Sequence, residues 1–479
     1  MSKEQPIAAA NGTQGTTDKT KLSLNRVFGL GTGILMVAGL MIGSGVFKKI
    51  APMAATGLNE TEILLAWITA GIFTMFGAFT IAGMATITSE SGGVYEYLRI
   101  SMGNFFSFLF GWIVFAIMGS GSIAALAFVF AQSLNTLVHI PDPLFALKDV
   151  SIGNFITPFA SSGVKMVAIV SIGVLTWVNY MGTKNGGLVN NIVTSAKILG
   201  ILLLIILGVF HQTPAEASAA VNTPVDTTFS GTSVFVAFFG AMLSSLWAYD
   251  GWAYMSSVTG EIKNPTRNVP IAIVSGVGIA MFLYVSLNYA FMQVLPLSEL
   301  AAIDENHIAA AAVAGAVMGK AGTVVISVLI MICTFGALNA CILVYPRIYY
   351  RMAQEGFFFK KAANVHPEFR TPYKALVYSM VWSIILTISG TFDMLTNLVV
   401  FSGFLFWILM SAGLLTLKRK GIITAKVIGY PVVQILFLLF SLVLIINTAI
   451  VQPLQSFTGL LLLLSGVPFY LYFTKKYRS

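Results

Sequence analysis

Long apolar runs, separated by short polar or Pro/Gly-rich breaks, fill this 479-residue chain from residue 28 to residue 473. A helix needs about 20 apolar residues to cross the hydrocarbon layer of a bilayer. The pattern therefore predicts twelve spans, over 28–47, 63–88, 105–138, 165–181, 188–210, 233–258, 270–295, 322–350, 375–392, 394–417, 427–450 and 456–473. No connection between them is long enough for a separate soluble domain. Two spans carry residues that spoil a continuous helix. Span 1 contains Met41-Ile42-Gly43-Ser44-Gly45-Val46-Phe47, and span 6 contains Ala248-Tyr249-Asp250-Gly251-Trp252. Hydrocarbon cannot satisfy the N–H and C=O groups such breaks expose, so they persist only where protein or a water-filled cavity receives them.

Spans 1 to 5 begin near 28, 63, 105, 165 and 188, and spans 6 to 10 near 233, 270, 322, 375 and 394. The offsets are 205, 207, 217, 210 and 206, nearly constant. Five is an odd number, so the second copy must enter the membrane from the opposite side. The expected fold is an all-α membrane protein: a five-plus-five inverted repeat with a broken helix opening each copy, then two further helices. The expected organisation is a disordered cytoplasmic tail over 1–24, repeats over 25–212 and 228–420, and helices 11 and 12 over 425–475. Breaks at corresponding positions of two halves mark where a secondary transporter holds its cargo.

Composition agrees with a life in lipid. Hydrophobic residues make up 57% of the chain and charged residues only 9%, against about 25% in soluble domains. Mean hydropathy is +0.86. A net charge of +9 could suggest nucleic acid, but its placement argues against that partner. The termini and the even-numbered loops hold 21 of the 27 Lys and Arg, and the opposite side holds Lys48, Lys49, Lys148, Lys165 and Lys320. That bias predicts a multi-pass protein of the cytoplasmic membrane with both termini cytoplasmic. Residues 1–21 lack an apolar core, so no cleaved signal peptide is expected. Cys333 and Cys341 lie on one helix about 80° apart, cannot bridge, and read as packing residues. Two cysteines and four scattered histidines give no metal-ligand spacing, and neither metal nor cofactor is expected.

Candidate chemistry gathers at the breaks. Gly43 and Gly45 let the chain unwind so that amides at a half-helix N-terminus face an anion, and Ser44 adds a hydroxyl. Asp250 is the only acid near the middle of a span, and intramembrane acids are functional by default. It either reads cargo or serves as a structural carboxylate. Trp247 and Tyr249 offer flat surfaces that could close over a ligand, whereas Trp252 reads as core. Lys197, in span 5, either snorkels to the surface or stands as a fixed ammonium in place of a coupling cation. Asn339 reads as a helix-to-helix hydrogen bond. The loops holding Glu90 to Tyr97 and Glu261 to Arg267 read as turns with salt bridges.

Rival classes fare less well. A serine hydrolase would need a histidine near Ser44, yet His139, His211, His307 and His366 fall in loops or at span ends. An intramembrane aspartyl protease would need a second membrane aspartate, and Asp393 sits in a short loop. An ion or solute channel stays open, since broken helices also line pores. A channel conducts current, whereas a carrier saturates and shows trans-stimulation.

With these residues in view, the chain resembles the amino acid–polyamine–organocation superfamily, and within it the L-type amino-acid transporters and their bacterial exchanger relatives. The resemblance rests on MIGSGVF in span 1, SGGVYEYL after span 2, Lys197, and WAYDGW followed by the Glu261 to Arg267 loop. It continues through Val269-Pro270, VLP at Val294 to Pro296 and CTFGALN at Cys333 to Asn339. It implies the leucine-transporter-like fold and sodium-independent amino-acid exchange, with proton-coupled symport as the alternative. The implied substrate contacts are Met41, Gly43, Ser44, Gly45, Trp247, Ala248, Asp250 and Gly251. Amides around Ser44 and Gly45 would take the α-carboxylate, and carbonyls of Met41, Trp247 and Asp250 the α-ammonium. Trp247 would be the gate, and Lys197 would occupy the place of a sodium ion or couple protons. Heteromeric relatives join a glycoprotein through a cysteine between spans 3 and 4. Residues 138–164 contain none, so no disulfide-linked heavy chain is expected.

Overall fold

The computed structural model describes residues 26–88, 92–150, 157–182, 186–210, 231–303 and 307–478. The tail expected over 1–24, Glu90 and Ser91 of the loop after span 2, and the join between the repeats lie outside the described residues. Among those described the backbone is helical almost throughout. Eleven helices are long and apolar enough to cross a membrane, and a twelfth apolar helix, Tyr373–Ser389, stands where span 9 was expected.

Local chemistry sets the ends. Span 2 (Glu60–Met84) starts on a reciprocal cap in which the Asn59 side chain accepts from Glu62 N–H at 3.0 Å and Glu62 accepts from Asn59 N–H at 2.9 Å. Span 7 (Pro265–Val294) follows left-handed Asn264 and places Pro265 in its first turn, where no N–H is needed. Span 8 differs from expectation, running over Ala309–Gln354 with a kink at Gly319. Its first arm opens with Ala309 to Ala312, a sequence of modest hydropathy but the strongest helix former. Span 12 is split at Ser465 into Pro453–Leu464 and Gly466–Arg478, and Trp112 Nε1 donates to Leu462 O and Ser465 Oγ there. Span 3 (Asn104–Leu137) contains a π turn, Val114–Met118. The Tyr349 hydroxyl and Trp382 Nε1 donate to Val114 O and Ala116 O within that turn.

Small residues let the helices approach closely. Gly276 of span 7 lies against Val37 of span 1, and Gly119 of span 3 faces Tyr345 and Tyr349 of span 8. Asn179 of span 4 donates to Asn339 at 2.7 Å, the interhelical bond read from the sequence. At the end of the bundle that carries most of the basic residues, the starts of span 1 and the close of span 6 are stitched by backbone. Phe28 and Ile262 form an isolated parallel bridge, in which Val27 and Phe28 donate to Glu261 O and Lys263 donates to Phe28 O. Spans 1 and 6 thus meet at this end and, as described next, at their breaks.

Candidate functional site

Span 1 is helical over Leu30–Met41, leaves the helix at Ile42, Gly43 and Ser44, and resumes as Gly45–Lys48 continuing through Lys49 into Ile50–Ala54. Gly43 N–H donates to Met41 O at 2.8 Å. The next three amides, Ser44, Gly45 and Val46, donate to no carbonyl, and Ser44 Oγ is buried without a partner. Four donors therefore converge at the positive end of a resumed helix, an arrangement that suits a carboxylate.

Span 6 is helical over Gly231–Tyr249 and then unwinds. Asp250 N–H bonds Trp247 O at 3.1 Å, and Gly251 adopts φ 106°, a region that favours glycine. The chain resumes as a 3₁₀ helix, Tyr254–Glu261, rather than as the α-helix expected to residue 258. The two breaks touch through their backbones. A Cβ on Gly45 would fall 2.5 Å from Ala248 Cα, and one on Gly251 would fall 3.0 Å from Leu40 O. Each glycine is required by the helix of the other break.

Between the breaks lies a cavity of about 20 Å³. Span 1 contributes Met41, Gly43, Ser44 and Gly45, and span 6 contributes Trp247, Asp250 and Gly251. Ala248 is not on this wall; it is buried and gives Gly45 its floor. The volume admits about one water molecule, so the walls must part to take a larger solute. Met41 O and Trp247 O each accept one backbone bond and keep a second lone pair.

Besides Leu40 of span 1, four wall residues escaped the sequence reading: Ser122 and Leu126 of span 3, and Cys341 and Tyr345 of span 8. Their only signal was spacing, each pair being four apart and so on one helical face. Cys341, read as packing, lines the cavity; Cys333 is buried away from it.

Asp250 has no ion-pair partner among the described residues. On its far side is a second small cavity walled by Trp252, Phe404 and Trp407, with Thr74. Trp252 itself packs on Trp407, as core. Trp247 meets Phe392 of span 10 edge-on at 6.2 Å. Lys48 and Lys49 lie over that Phe392 ring, and Lys49 Nζ donates to Asp393 at 2.6 Å and Thr396 at 2.9 Å.

Lys197 does not snorkel. It is 0% exposed and donates to Gly39 O at 3.1 Å and Ile42 O at 2.9 Å. These carbonyls belong to the last turn of span 1 before its break, the negative end of that half-helix. Gly336 of span 8 leaves the space, since a Cβ there would stand 3.2 Å from Lys197 Nζ.

Closure at the basic end is thick. Arg347 donates to Glu261 at 2.6 Å with both side chains buried. Glu96 takes Arg99 at 2.5 Å and Arg351 at 3.5 Å. Left-handed Gly93 lies against the backbone of Ser256 and Ser257. Residues 92–99 and the segment at Glu261, expected as loops of turns and salt bridges, are one lock in which Val94–Met102 is an α-helix and Tyr254–Glu261 a 3₁₀ helix.

Comparison with known proteins agrees with this geometry. The amino acid permease family model matches residues 28–471. The serine/threonine exchanger SteT of Bacillus subtilis (strain 168) is 30% identical over 93% of this chain and 96% of its own length. The b(0,+)-type amino acid transporter 1 of Mus musculus is 28% identical over 96% and 90%. The large neutral amino acids transporter small subunit 2 of Mus musculus is 26% identical over 94% and 81%.

Proposed function

This chain belongs to the amino acid permease family, and we propose that it exchanges L-amino acids across a membrane, without sodium, by alternating access. The observation that carries the reading is the cradle of unpartnered amides at Ser44, Gly45 and Val46 with the orphan Ser44 hydroxyl, set in the contact between two broken helices. These donors would hold the α-carboxylate, while Met41 O, Trp247 O and Asp250 O accept from the α-ammonium. Trp247 and Phe392 would close over the bound solute. Lys197, tied to Gly39 O and Ile42 O, would stand where a sodium ion could otherwise brace the break. The bundle's basic end would face the cytoplasm, together with both termini, following the placement of Lys and Arg. Without a cysteine in 138–164, the carrier would work with no disulfide-linked heavy chain.

The side-chain pocket favours small neutral solutes, since Ser122, Cys341 and Tyr345 supply only weakly polar groups. The name of the Bacillus subtilis relative points the same way. One observation favours a wider range: the Asp250 carboxylate, without an ionic partner, would suit a cationic side chain. Asp250→Asn should then weaken lysine or arginine uptake and spare serine; equal losses for both would make the acid structural.

Reconstitution into liposomes tests the central reading. Uptake should require internal amino acid and be indifferent to sodium. Uptake into empty vesicles driven by a pH gradient would instead mean proton symport, and ion currents a channel. Gly45→Val should abolish transport with membrane insertion intact, because its Cβ collides with Ala248.

A further inference from the structure

Another cavity is larger than the one between the breaks. A cavity of about 220 Å³ lies towards the opposite end from the basic lock, between the end of span 3, the start of span 4 and the turn into span 10. Its residues on span 3 are Phe128, Gln132 and Asn135, spaced along one helical face. Phe392 lines it and also meets Trp247, so one aromatic layer separates it from the cradle.

Besides the Thr157 and Ser161 hydroxyls, three polar side chains of this cavity already accept a hydrogen bond on oxygen. Gln132 Oε1 accepts from Lys48 Nζ at 3.0 Å, and Asn135 Oδ1 accepts from Ile140 N–H at 2.8 Å. Thr391 Oγ accepts from Met394 N–H at 3.5 Å. Each retains N–H or O–H donors that can serve the cavity beside an oxygen that is already partly used. Behind them stands Lys165, 6% exposed, whose ammonium donates to Thr157 O, Pro158 O and Ile388 O and to no carboxylate. Among the described residues no acid lines the cavity. The neighbouring aspartates are engaged elsewhere, Asp142 with Ser162 and Gly163, and Asp393 with Lys49. A donor-lined cavity with a cationic wall selects an anion.

We propose that this cavity is a second binding site, where the α-carboxylate of an incoming amino acid is held before the Trp247–Phe392 layer opens. The inference rests on the carrier reading above. Two amide N–H groups and the Thr391 hydroxyl would bind the carboxylate, with Lys165 and Lys48 supplying the field. Phe128, Phe392 and Val164 would shelter the rest of the solute. The same field repels a second positive charge, so dibasic amino acids would be disfavoured from this face alone, whatever Asp250 prefers inside.

The test is Asn135→Asp in the full chain, reconstituted and assayed separately from each face with L-serine and L-arginine. Aspartate keeps the acceptor for Ile140 and replaces a donor with negative charge. The KM for serine from the outer face should rise about tenfold, the serine-to-arginine preference from that face should fall, and the KM from the inner face should not move. Gln132→Glu, which stays tied to Lys48, should act in the same direction by roughly threefold. An unchanged outer KM in both variants, or equal rises from both faces, would overturn the second site. Failure of the unmodified protein to carry either amino acid would instead sink the carrier reading, and would be evident before any variant was made.

Discussion

The two ends of the site are closed by different amounts of protein. At the basic end, the backbone bridge between Phe28 and Ile262, the buried Glu261–Arg347 pair, the Glu96 cluster and the Gly93 contact lie in series. At the other end one aromatic layer and the Lys49–Asp393 pair suffice, and Asp393 is 33% exposed. Depth of burial separates the two locks. Removing one partner of a fully buried pair strands a charge and costs about 3–5 kcal/mol, whereas a pair with one partner open to water, as Asp393 is, loses less. This conformation is therefore held shut at the basic end and only latched at the other.

The largest effect should come from Lys197, which belongs to neither lock but braces the half-helix that both depend on. Lys197→Ala leaves two orphan carbonyls in span 1 and should reduce exchange by roughly a hundredfold, although the residue never touches the solute. Full activity of the variant, or sodium-dependent uptake by the unmodified protein, would remove the bracing role. Arg347→Ala should act next. Stranding Glu261 should shift the population towards an inward-open state by at least about tenfold. Cys341 on the cavity wall would then react with an impermeant thiol reagent from the basic end, and Cys333 would not. Labelling no faster than in the unmodified protein would show that the backbone bridge alone carries the closure. Asp393→Asn should be the mildest, changing outer-face apparent affinity by about two- to fivefold, since asparagine keeps an acceptor for Lys49, Thr396 remains a second one, and Asp393 is partly open to solvent. A loss as large as that of Arg347→Ala would erase the contrast between the ends.

Both breaks were legible because glycine and aspartate stand out in apolar runs where helix formers are expected. The spans were legible for the same reason, whereas the residues alone left Lys197 open to snorkelling and only the family resemblance set it in the place of a sodium ion. Side chains on uninterrupted helices were hidden. Ser122 and Tyr345 look like any small or aromatic residue of a packed bundle until span 8 is laid along span 3. The first arm of span 8 was missed because Gly319 and Lys320 interrupt the apolar run and leave residues 308–318 too short to read as a span. The contact of Gly45 with Ala248 turns on a crossing of two distant segments, which composition does not encode. Lys165 read as one more outward charge, because three backbone carbonyls leave no mark in a sequence.

The tethered ammonium at Gly39 and Ile42 has a thermodynamic consequence on the proposed reading. A sodium ion in that place would arrive from one side, leave on the other and carry the free energy of its gradient into the transport cycle. Lys197 is covalently part of the chain and is released on neither side. A machine with a permanent ion has no external battery. It trades one amino-acid gradient for another and concentrates its cargo only as far as the gradient it spends allows.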